Sequence, residues 1–249
     1  MSDDEPGGKV YQLVPRSSEP GVREAGEVKH CAVCLRELPL FNGLEAADFT
    51  QVCLRATKLR AAKGQCLFHQ GELANAVYLI KAGKVKLVQV TAGGRAAILD
   101  VLGPGEVLGE TALFQDLPQA FSALVLEEAK LCSFSRHQFE DMIRANPGAA
   151  TSIITHLARR LYDSMQQAGE ISGAPVREKV LRVLLHLADK YGHPAKNATQ
   201  IELAITQQEL ADMVGASRVM VANVLKELYD EGLVHRRDGR YSVNRKHCM

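Results

Sequence analysis

The spacing of hydrophobic positions changes along the chain, and each change predicts a different kind of structure. Between residues 59 and 137, short β-rich runs such as Val77–Ile80 and Val85–Val88 alternate with glycine-containing turns. Turn signals that recur roughly every ten residues between such runs are typical of a small antiparallel barrel or jelly roll. In this pattern Ala82-Gly83 is the turn between the two runs.

The spacing becomes helical from Pro147 to about residue 170. Proline is accepted in the first turn of a helix, and the apolar residues that follow are three or four positions apart. Such a row can form a seam with a partner helix, or it can pack against the barrel. We predict a dimerisation helix over residues 147–172. Its interface residues are Ile154, Leu157, Leu161 and Met165.

Residues 206–234 have the pattern of two short helices joined by a tight turn. Thr206 is a capping residue, and Glu209 three positions later completes a capping box. Gly215 ends the first helix, because a left-handed turn costs glycine little, and Ser217 begins the second. A helix-turn-helix of this kind is a DNA-reading device.

Elements on both sides extend this unit. Gly173 and Pro175 predict a hinge before a helix from Val176 to Lys190, whose apolar face should pack under the helix-turn-helix. Asp238-Gly239, between two short apolar runs, predicts a hairpin that forms a β-wing. The predicted fold class is α+β: an N-terminal antiparallel β-barrel or jelly-roll sensor domain, a long dimerisation helix and a C-terminal winged helix-turn-helix. The predicted ranges are 1–28 for a disordered arm, 29–146 for the barrel with a preceding paired-cysteine element, 147–172 for the dimerisation helix and 173–249 for the winged helix.

Composition adds a compartment and a charge asymmetry. Hydrophobic residues make up 46% of the chain and charged residues 24%, which is ordinary for a soluble globular protein. We expect a cytoplasmic protein without membrane contact, since no apolar run reaches the ~20 residues that span a bilayer and the acidic start is unlike a signal peptide. Residues 175–249 carry three more basic than acidic side chains. The basic residues that can form a DNA-facing surface are Arg218, Arg236, Arg237, Arg240, Arg245 and Lys246.

The order of barrel, long helix, hinge and winged helix resembles the bacterial catabolite-activator and fumarate–nitrate-regulator family over about residues 40–245. The matching segments are Lys63-Gly64, Gln70-Gly71-Glu72, Tyr78–Gly83, Gly103–Glu106, Gly109-Glu110, Ala158–Leu161 and Leu210–Arg218. The resemblance implies a homodimeric transcription regulator that binds palindromic double-stranded DNA and contacts RNA polymerase. A symmetric dimer that reads half-sites about one DNA turn apart fits a palindromic operator.

The start of the second helix is the end that meets base edges. Arg218 can bond a guanine bidentately or bond a phosphate, Asn223 can pair with adenine, and Val219 or Met220 can touch a thymine methyl. Well-known members have Glu and Arg at the positions of Val219 and Asn223, so their half-site cannot be carried over. The predicted DNA-binding residues are Thr206, Gln207, Ser217, Arg218, Val219, Met220 and Asn223.

The effector is the open question. The resemblance places a pocket at Gly109, Glu110 and Ser122. Relatives that bind a cyclic nucleotide follow Gly-Glu with an Arg-Ser/Thr-Ala run, whereas Pro118–Ala123 here contains no arginine. A phosphate without that charge-assisted pair loses about 1.5–3 kcal/mol per bond, which disfavours a cyclic nucleotide.

The second hypothesis for the sensor is a cysteine-ligated iron–sulfur cluster, such as [4Fe-4S]. Cys31 and Cys34 precede the barrel and Cys132 lies on a late strand, similar to the oxygen-sensing branch of the family, and a Cys-x2-Cys pair suits a cluster. That branch has a third N-terminal cysteine, which is missing here. The fourth ligand would come from Cys53, Cys66, His30 or a carboxylate.

Other readings stay open beside the cluster. Cys31 and Cys34 can form a reversible disulfide or bind zinc, and His30, His69 or His156 can bind haem. No nucleotide loop, nucleophile elbow or His-Glu-x-x-His motif predicts an enzyme. The alternative to a transcription regulator is a protein of another class, an effector-binding barrel without a transcriptional role. In the favoured mechanism the effector alters the packing of residues 147–170, and the hinge then reorients the winged helices.

Overall fold

The computed structural model describes most of the chain from residue 56 onward. The described residues are 56–113, 117–145, 148, 150, 151, 154, 155, 157–159, 161, 162, 164, 165, 173–195 and 198–244. The predicted arm and the Cys31–Cys34 element lie outside them. The chain divides into two compact units, Met1–Tyr162 and Asp163–Met249.

The first unit contains an antiparallel sheet and a buried hydrophobic core. Its strands are β1 (Thr57–Ala61), β2 (Cys66–Phe68), β3 (Ala76–Val90), β4 (Ala96–Leu102), β5 (Val107–Leu108) and β6 (Ser122–Ser135). The order is β1-β6-β3-β4, with β2 paired to β6 and β5 paired to β3. A 3-10 helix (Glu110–Leu113) and helix α1 (Arg136–Ala145) follow these strands or lie between them, and the described residues between 148 and 165 are helical as well. The predicted antiparallel sensor domain is confirmed, whereas α1 was not predicted.

The core follows from the alternation of side chains along the two long strands. Ile80, Val85 and Leu87 of β3 lie with Val125 and Leu131 of β6 in one buried cluster. Their neighbours in sequence point to the other face of the sheet, because successive residues of a strand alternate. The two long strands therefore contribute the central residues of the hydrophobic core of this unit.

The predicted turn at Ala82-Gly83 is wrong. β3 continues through both residues from Ala76 to Val90 and pairs with β6 on either side of them, with register shifts between Ile80 and Val85. Gly83 has a φ of +82°, a conformation that glycine adopts without steric cost. The glycine therefore forms an irregularity within one strand, as glycines do at bulges.

Lys81 lies in this irregular stretch and gives a stability prediction. It is 5% exposed, and its Nζ is buried with no hydrogen-bond partner among the described residues. A buried, unpaired polar group costs roughly 1–3 kcal/mol. Lys81→Met should therefore raise the melting temperature, by about 2–4 °C for each kcal/mol recovered, as measured by circular dichroism.

The matched control is Lys84→Met. Lys84 lies in the same strand, but its Nζ bonds Glu127 Oε2 at 2.8 Å. Its replacement should lower the melting temperature slightly, since a partly exposed ion pair contributes about 0–1 kcal/mol. An unchanged or lower melting temperature in Lys81→Met would show that the ammonium is satisfied in solution.

The second unit is a winged helix. Its elements are helix α2 (Val176–Tyr191), β7 (Gly192–Ala195), β8 (Ala198–Ala204), helix α3 (Gln207–Val214), helix α4 (Arg218–Asp230), β9 (Val234–Arg237) and β10 (Arg240–Val243). The strands form one sheet in the order β7-β8-β10-β9. Val180, Leu184 and Leu187 of α2 are buried, and α2 contacts both α3 and α4. The predicted packing of this helix under the helix-turn-helix is confirmed. Among the helices of the described residues, none is both long enough and apolar enough to cross a membrane.

Candidate nucleic-acid interface and effector surface

The entry into α3 and its exit are fixed by the predicted caps. Thr206 Oγ1 accepts a hydrogen bond from Glu209 N at 3.1 Å, and the Glu209 carboxylate accepts one from Thr206 N at 3.0 Å. Gly215 has a φ of 67° and donates its N–H to Ala211 O. These bonds satisfy groups that a helix end leaves open, so the turn between the two helices is defined locally.

Helix α4 presents the predicted reading residues to solvent. Ser217 Oγ accepts a hydrogen bond from Met220 N at 3.2 Å and caps the helix. Val221, Leu225 and Leu228 are buried, which turns the opposite face outward. The predicted residues that are exposed are Thr206, Ser217, Arg218, Val219, Met220 and Asn223, while Gln207 is partly exposed.

The wing adds positive charge beside this helix. Asp238 and Gly239 have φ values of 51° and 78°, as expected for the central residues of a type I′ turn. Arg236, Arg237 and Arg240 are exposed; the predicted basic residues Arg245 and Lys246 lie outside the described residues.

Tyr241 anchors the wing to the fold. It is fully buried, and the guanidinium of Arg236 lies 5.1 Å from the centroid of its ring, within the range of a cation–π contact. Burial raises the pKa of the Tyr241 hydroxyl to about 12, so this residue stays neutral and structural at physiological pH.

The predicted effector residues are held by backbone geometry. Gly109 has a φ of +79°, and a Cβ there would lie 2.6 Å from Ala76 O, so this site requires glycine. Glu110 begins the 3-10 helix. Ser122 is buried, and its Oγ accepts a hydrogen bond from Gln70 N at 2.9 Å. The role of these residues in binding an effector stays a prediction.

Sequence reasoning missed a buried glutamine next to them, which bonds a partly buried threonine. Gln119 is 3% exposed, and its Oε1 accepts a hydrogen bond from Thr111 Oγ1 at 2.6 Å. Its backbone bonds Glu72 O and Gly71 N, each at 2.8 Å. The sequence feature that could have indicated it is the glutamine at position 119, in the segment that lacks the arginine expected from the family. A neutral pair, rather than a guanidinium, therefore lies beside the predicted pocket.

Cys132 is the predicted cluster ligand that the structure describes. It is 1% exposed and pairs across the sheet with Lys58 on one side and Leu79 on the other. Within the described residues no three His, Cys, Asp or Glu side chains are grouped to hold a metal. These residues alone therefore do not fit a cluster, which would depend on Cys31, Cys34 and a fourth ligand outside them.

Cys66 has a packing role instead. Its thiol donates a hydrogen bond to Phe68 O at 3.0 Å and lies 3.5 Å from Nδ1 of His69. Burial raises the pKa of the Cys66 thiol from 9.0 to about 11. A thiolate is the form that ligates a metal, so this environment disfavours Cys66 as the fourth ligand. The haem candidates His30 and His156 lie outside the described residues.

The raised pKa predicts slow alkylation of Cys66. At pH 8 its thiolate fraction should be about a hundredfold below that of an unperturbed thiol, since two pKa units change the fraction by that factor. Iodoacetamide labelling, read by peptide mass spectrometry, should show this difference in native protein and lose it in urea. Because the folded pKa lies above the unfolded value, the thiol's contribution to stability should be lost as pH rises from 9 to 11. Equal labelling rates in native and unfolded protein would contradict the prediction.

The predicted dimerisation residues expose apolar surface. The relative exposure of Ile154 is 66%, that of Leu161 is 62% and that of Met165 is 67%; Leu157 is partly exposed. All four positions are helical. Large apolar side chains left open to this degree on a helix are typical of a surface that a partner covers.

Known proteins resemble both units. Residues 58–146 match the family profile of the cyclic nucleotide-binding domain, and residues 178–247 match that of the Crp-like helix-turn-helix domain. The cyclic AMP receptor protein of Thermus thermophilus is 32% identical over 205 residues, which cover 82% of this chain and 92% of that protein. The CRP-like cAMP-activated global transcriptional regulator of Mycobacterium tuberculosis is 28% identical, over 78% and 87% of the two chains. The solved c-di-GMP responsive regulator CLP of Xanthomonas campestris superposes with a TM-score of 0.70 at 25% identity, over 80% of this chain and 99% of that one.

Proposed function

Because this chain belongs to the catabolite-activator and fumarate–nitrate-regulator family of bacterial transcription regulators, we propose that it binds a palindromic operator as a homodimer under the control of a redox signal. Regulators of this family bind DNA and act as dimers, with an effector-binding N-terminal domain. The proposed function includes a contact between the DNA-bound dimer and RNA polymerase.

The exposed face of α4 carries the DNA-binding proposal. Arg218, Val219, Met220 and Asn223 project from a capped helix whose opposite face is buried. Such a helix presents its first turns to base edges in the major groove, while a basic wing meets phosphates. Arg237 and Arg240 supply charge for the second contact.

The apolar surface at residues 154–165 supports the dimer. Ile154, Leu161 and Met165 leave about two thirds of their surface to solvent, and burial against a second copy would remove that surface from water. Two reading helices related by a two-fold axis need a palindromic site.

Two observations support a signal other than a cyclic nucleotide. Pro118–Ala123 contains no arginine, and the buried Gln119 beside the predicted pocket already bonds Thr111. The Cys31–Cys34 pair is the alternative sensor, since two cysteines at this spacing in a polar segment suit redox chemistry or metal binding. If a cluster forms, Cys31, Cys34 and Cys132 would be among its ligands, and it would supply one-electron and oxygen chemistry.

Cyclic nucleotide is the second candidate signal, and the relatives favour it. Two of the regulators reported above carry cyclic AMP in their names. A ligand held through neutral hydrogen bonds instead of an arginine would bind less tightly, because a bond to a charged group contributes about 1.5–3 kcal/mol against about 0.5–1.5 for a neutral one.

DNA binding is tested by selection from a random duplex library with the full chain, followed by mobility shift and sedimentation. The expected result is an inverted repeat bound by two copies. The selection should be run anaerobically, aerobically and with cyclic AMP, so that no signal state is missed. Absence of any enriched sequence in all three conditions would overturn the proposal.

The signal is tested on the selected operator. Affinity should change between anaerobic reduced and oxidised protein, lose that change in Cys31→Ser and keep it in the control Cys66→Ser. An anaerobic visible spectrum with iron and sulfide assays separates a cluster from a disulfide. A saturable gain in operator affinity with cyclic AMP, together with no redox response, would establish the second candidate instead.

A further inference from the structure

Two adjacent hydrophobic side chains stand out at the start of α4. Val219 is 69% exposed and Met220 is 49% exposed. Across the described residues from 173 to 244, no other large hydrophobic side chain is exposed to this degree. This unit buries its remaining large hydrophobic residues wholly or partly, so the exposed pair is a local exception.

Folding does not account for the pair. The helix is anchored through Val221, Leu225 and Leu228 on its other face, and Ser217 fixes its first turn. The exposed part of each side chain contributes no burial to the folded state. It is available for a contact outside this chain.

The neighbours of the pair favour DNA as the partner. Arg218 precedes Val219, and Asn223 lies four positions after Val219, on the same row of the helix surface. A stable protein interface buries about 800 Å² on each partner, far more than two side chains flanked by polar residues can offer. In the major groove the thymine C5-methyl is an apolar group on a base edge, and it is the partner for apolar side chains.

Resting on the proposed function, we propose that Val219 and Met220 recognise thymine methyl groups, so that each half-site carries T·A pairs beside the guanine contacted by Arg218. Valine has no hydrogen-bonding group, so position 219 cannot accept a bond from cytosine N4. At the base pair where an acidic side chain would favour cytosine, valine therefore favours thymine through its methyl group.

The test replaces thymine by deoxyuridine in the selected operator, which removes the C5-methyl and leaves base pairing intact. One buried CH₂-sized group contributes about 0.8 kcal/mol, so each replacement facing the pair should weaken binding about fourfold, and symmetric replacement in both half-sites about fifteenfold. Replacement of thymines outside the protein footprint is the control and should leave affinity unchanged.

Protein variants assign the contact to its side chain. Val219→Ala should bind the thymine operator more weakly and lose the deoxyuridine effect at one base pair, and Met220→Ala should do so at another. Met220→Leu, which stays apolar, should keep the effect. Both residues are exposed, so these variants should fold, and unchanged melting temperatures check this.

Three results would overturn the inference: selected half-sites without thymine in the contacted region, deoxyuridine operators bound as tightly as thymine operators, or a deoxyuridine effect that both alanine variants retain. Each of these requires specific binding by the wild-type protein, so the proposed function would stand while the inference fails. Absence of any sequence-specific DNA binding by the wild-type protein would instead overturn the proposed function.

Discussion

Arg218→Ala should abolish specific operator binding while leaving the dimer intact. Arg218 is exposed at the first position of α4, the end of a recognition helix that meets base edges, and a guanidinium can bond guanine O6 and N7 bidentately. Such a contact contributes about 1–3 kcal/mol of base discrimination, and a symmetric dimer makes it twice. The expected loss is therefore between about thirtyfold and about twenty-thousandfold in operator affinity, as measured by mobility shift at fixed salt.

The matched control is Arg237→Ala on the wing. Arg237 carries the same charge, and its side chain is 92% exposed, but it lies on the wing strand β9 and not on the reading helix α4. Its replacement should lower the affinity for operator DNA and for random DNA equally. It should also lower, by about one, the slope of log affinity against log salt concentration. An Arg218→Ala protein with an unchanged operator preference, or one that behaves like the wing variant, would show that Arg218 contacts phosphate only.

Local signals predicted the winged helix well. Thr206 with Glu209, Gly215 and Ser217 each act within four residues of chain, and the structure shows each of them as a cap or a turn. Asp238-Gly239 likewise determines its own hairpin. Such bonds depend on neighbouring residues, so the sequence carries them without knowledge of the rest of the fold.

Features that depend on distant partners were not predictable in the same way. Strand β7 begins Gly192-His193-Pro194, without alternation, and its partner β8 pairs on its other side with β10, near the end of the described residues. The buried Gln119 pair joins residues eight positions apart across a loop. Gly83 resembled a turn residue because a positive φ serves turns and strand irregularities alike.

The barrel's reliance on such distant contacts makes Gly83→Ala the most disruptive substitution expected in this unit. A Cβ at residue 83 would lie 2.2 Å from Glu128 O and 2.6 Å from Ala129 Cα, both backbone atoms of β6. Neither can rotate away, so β3 must separate from β6 across the centre of the sheet. The positive φ adds about 1–2 kcal/mol for an L side chain. The combined loss should exceed about 4 kcal/mol, which is exceptional for a point substitution.

Gly94→Ala isolates the conformational part of that loss. Gly94 has a φ of +75°, and a Cβ there meets nothing within 4 Å, so only the cost of about 1–2 kcal/mol for the left-handed conformation applies. Urea unfolding followed by circular dichroism should show a small shift for Gly94→Ala. For Gly83→Ala it should show loss of the β-sheet transition, or a protein that does not accumulate in folded form. Similar midpoints for the two variants would mean that β3 and β6 relax around the added methyl, and that the irregularity at residues 80–85 is a flexible part of the sheet rather than a fixed one.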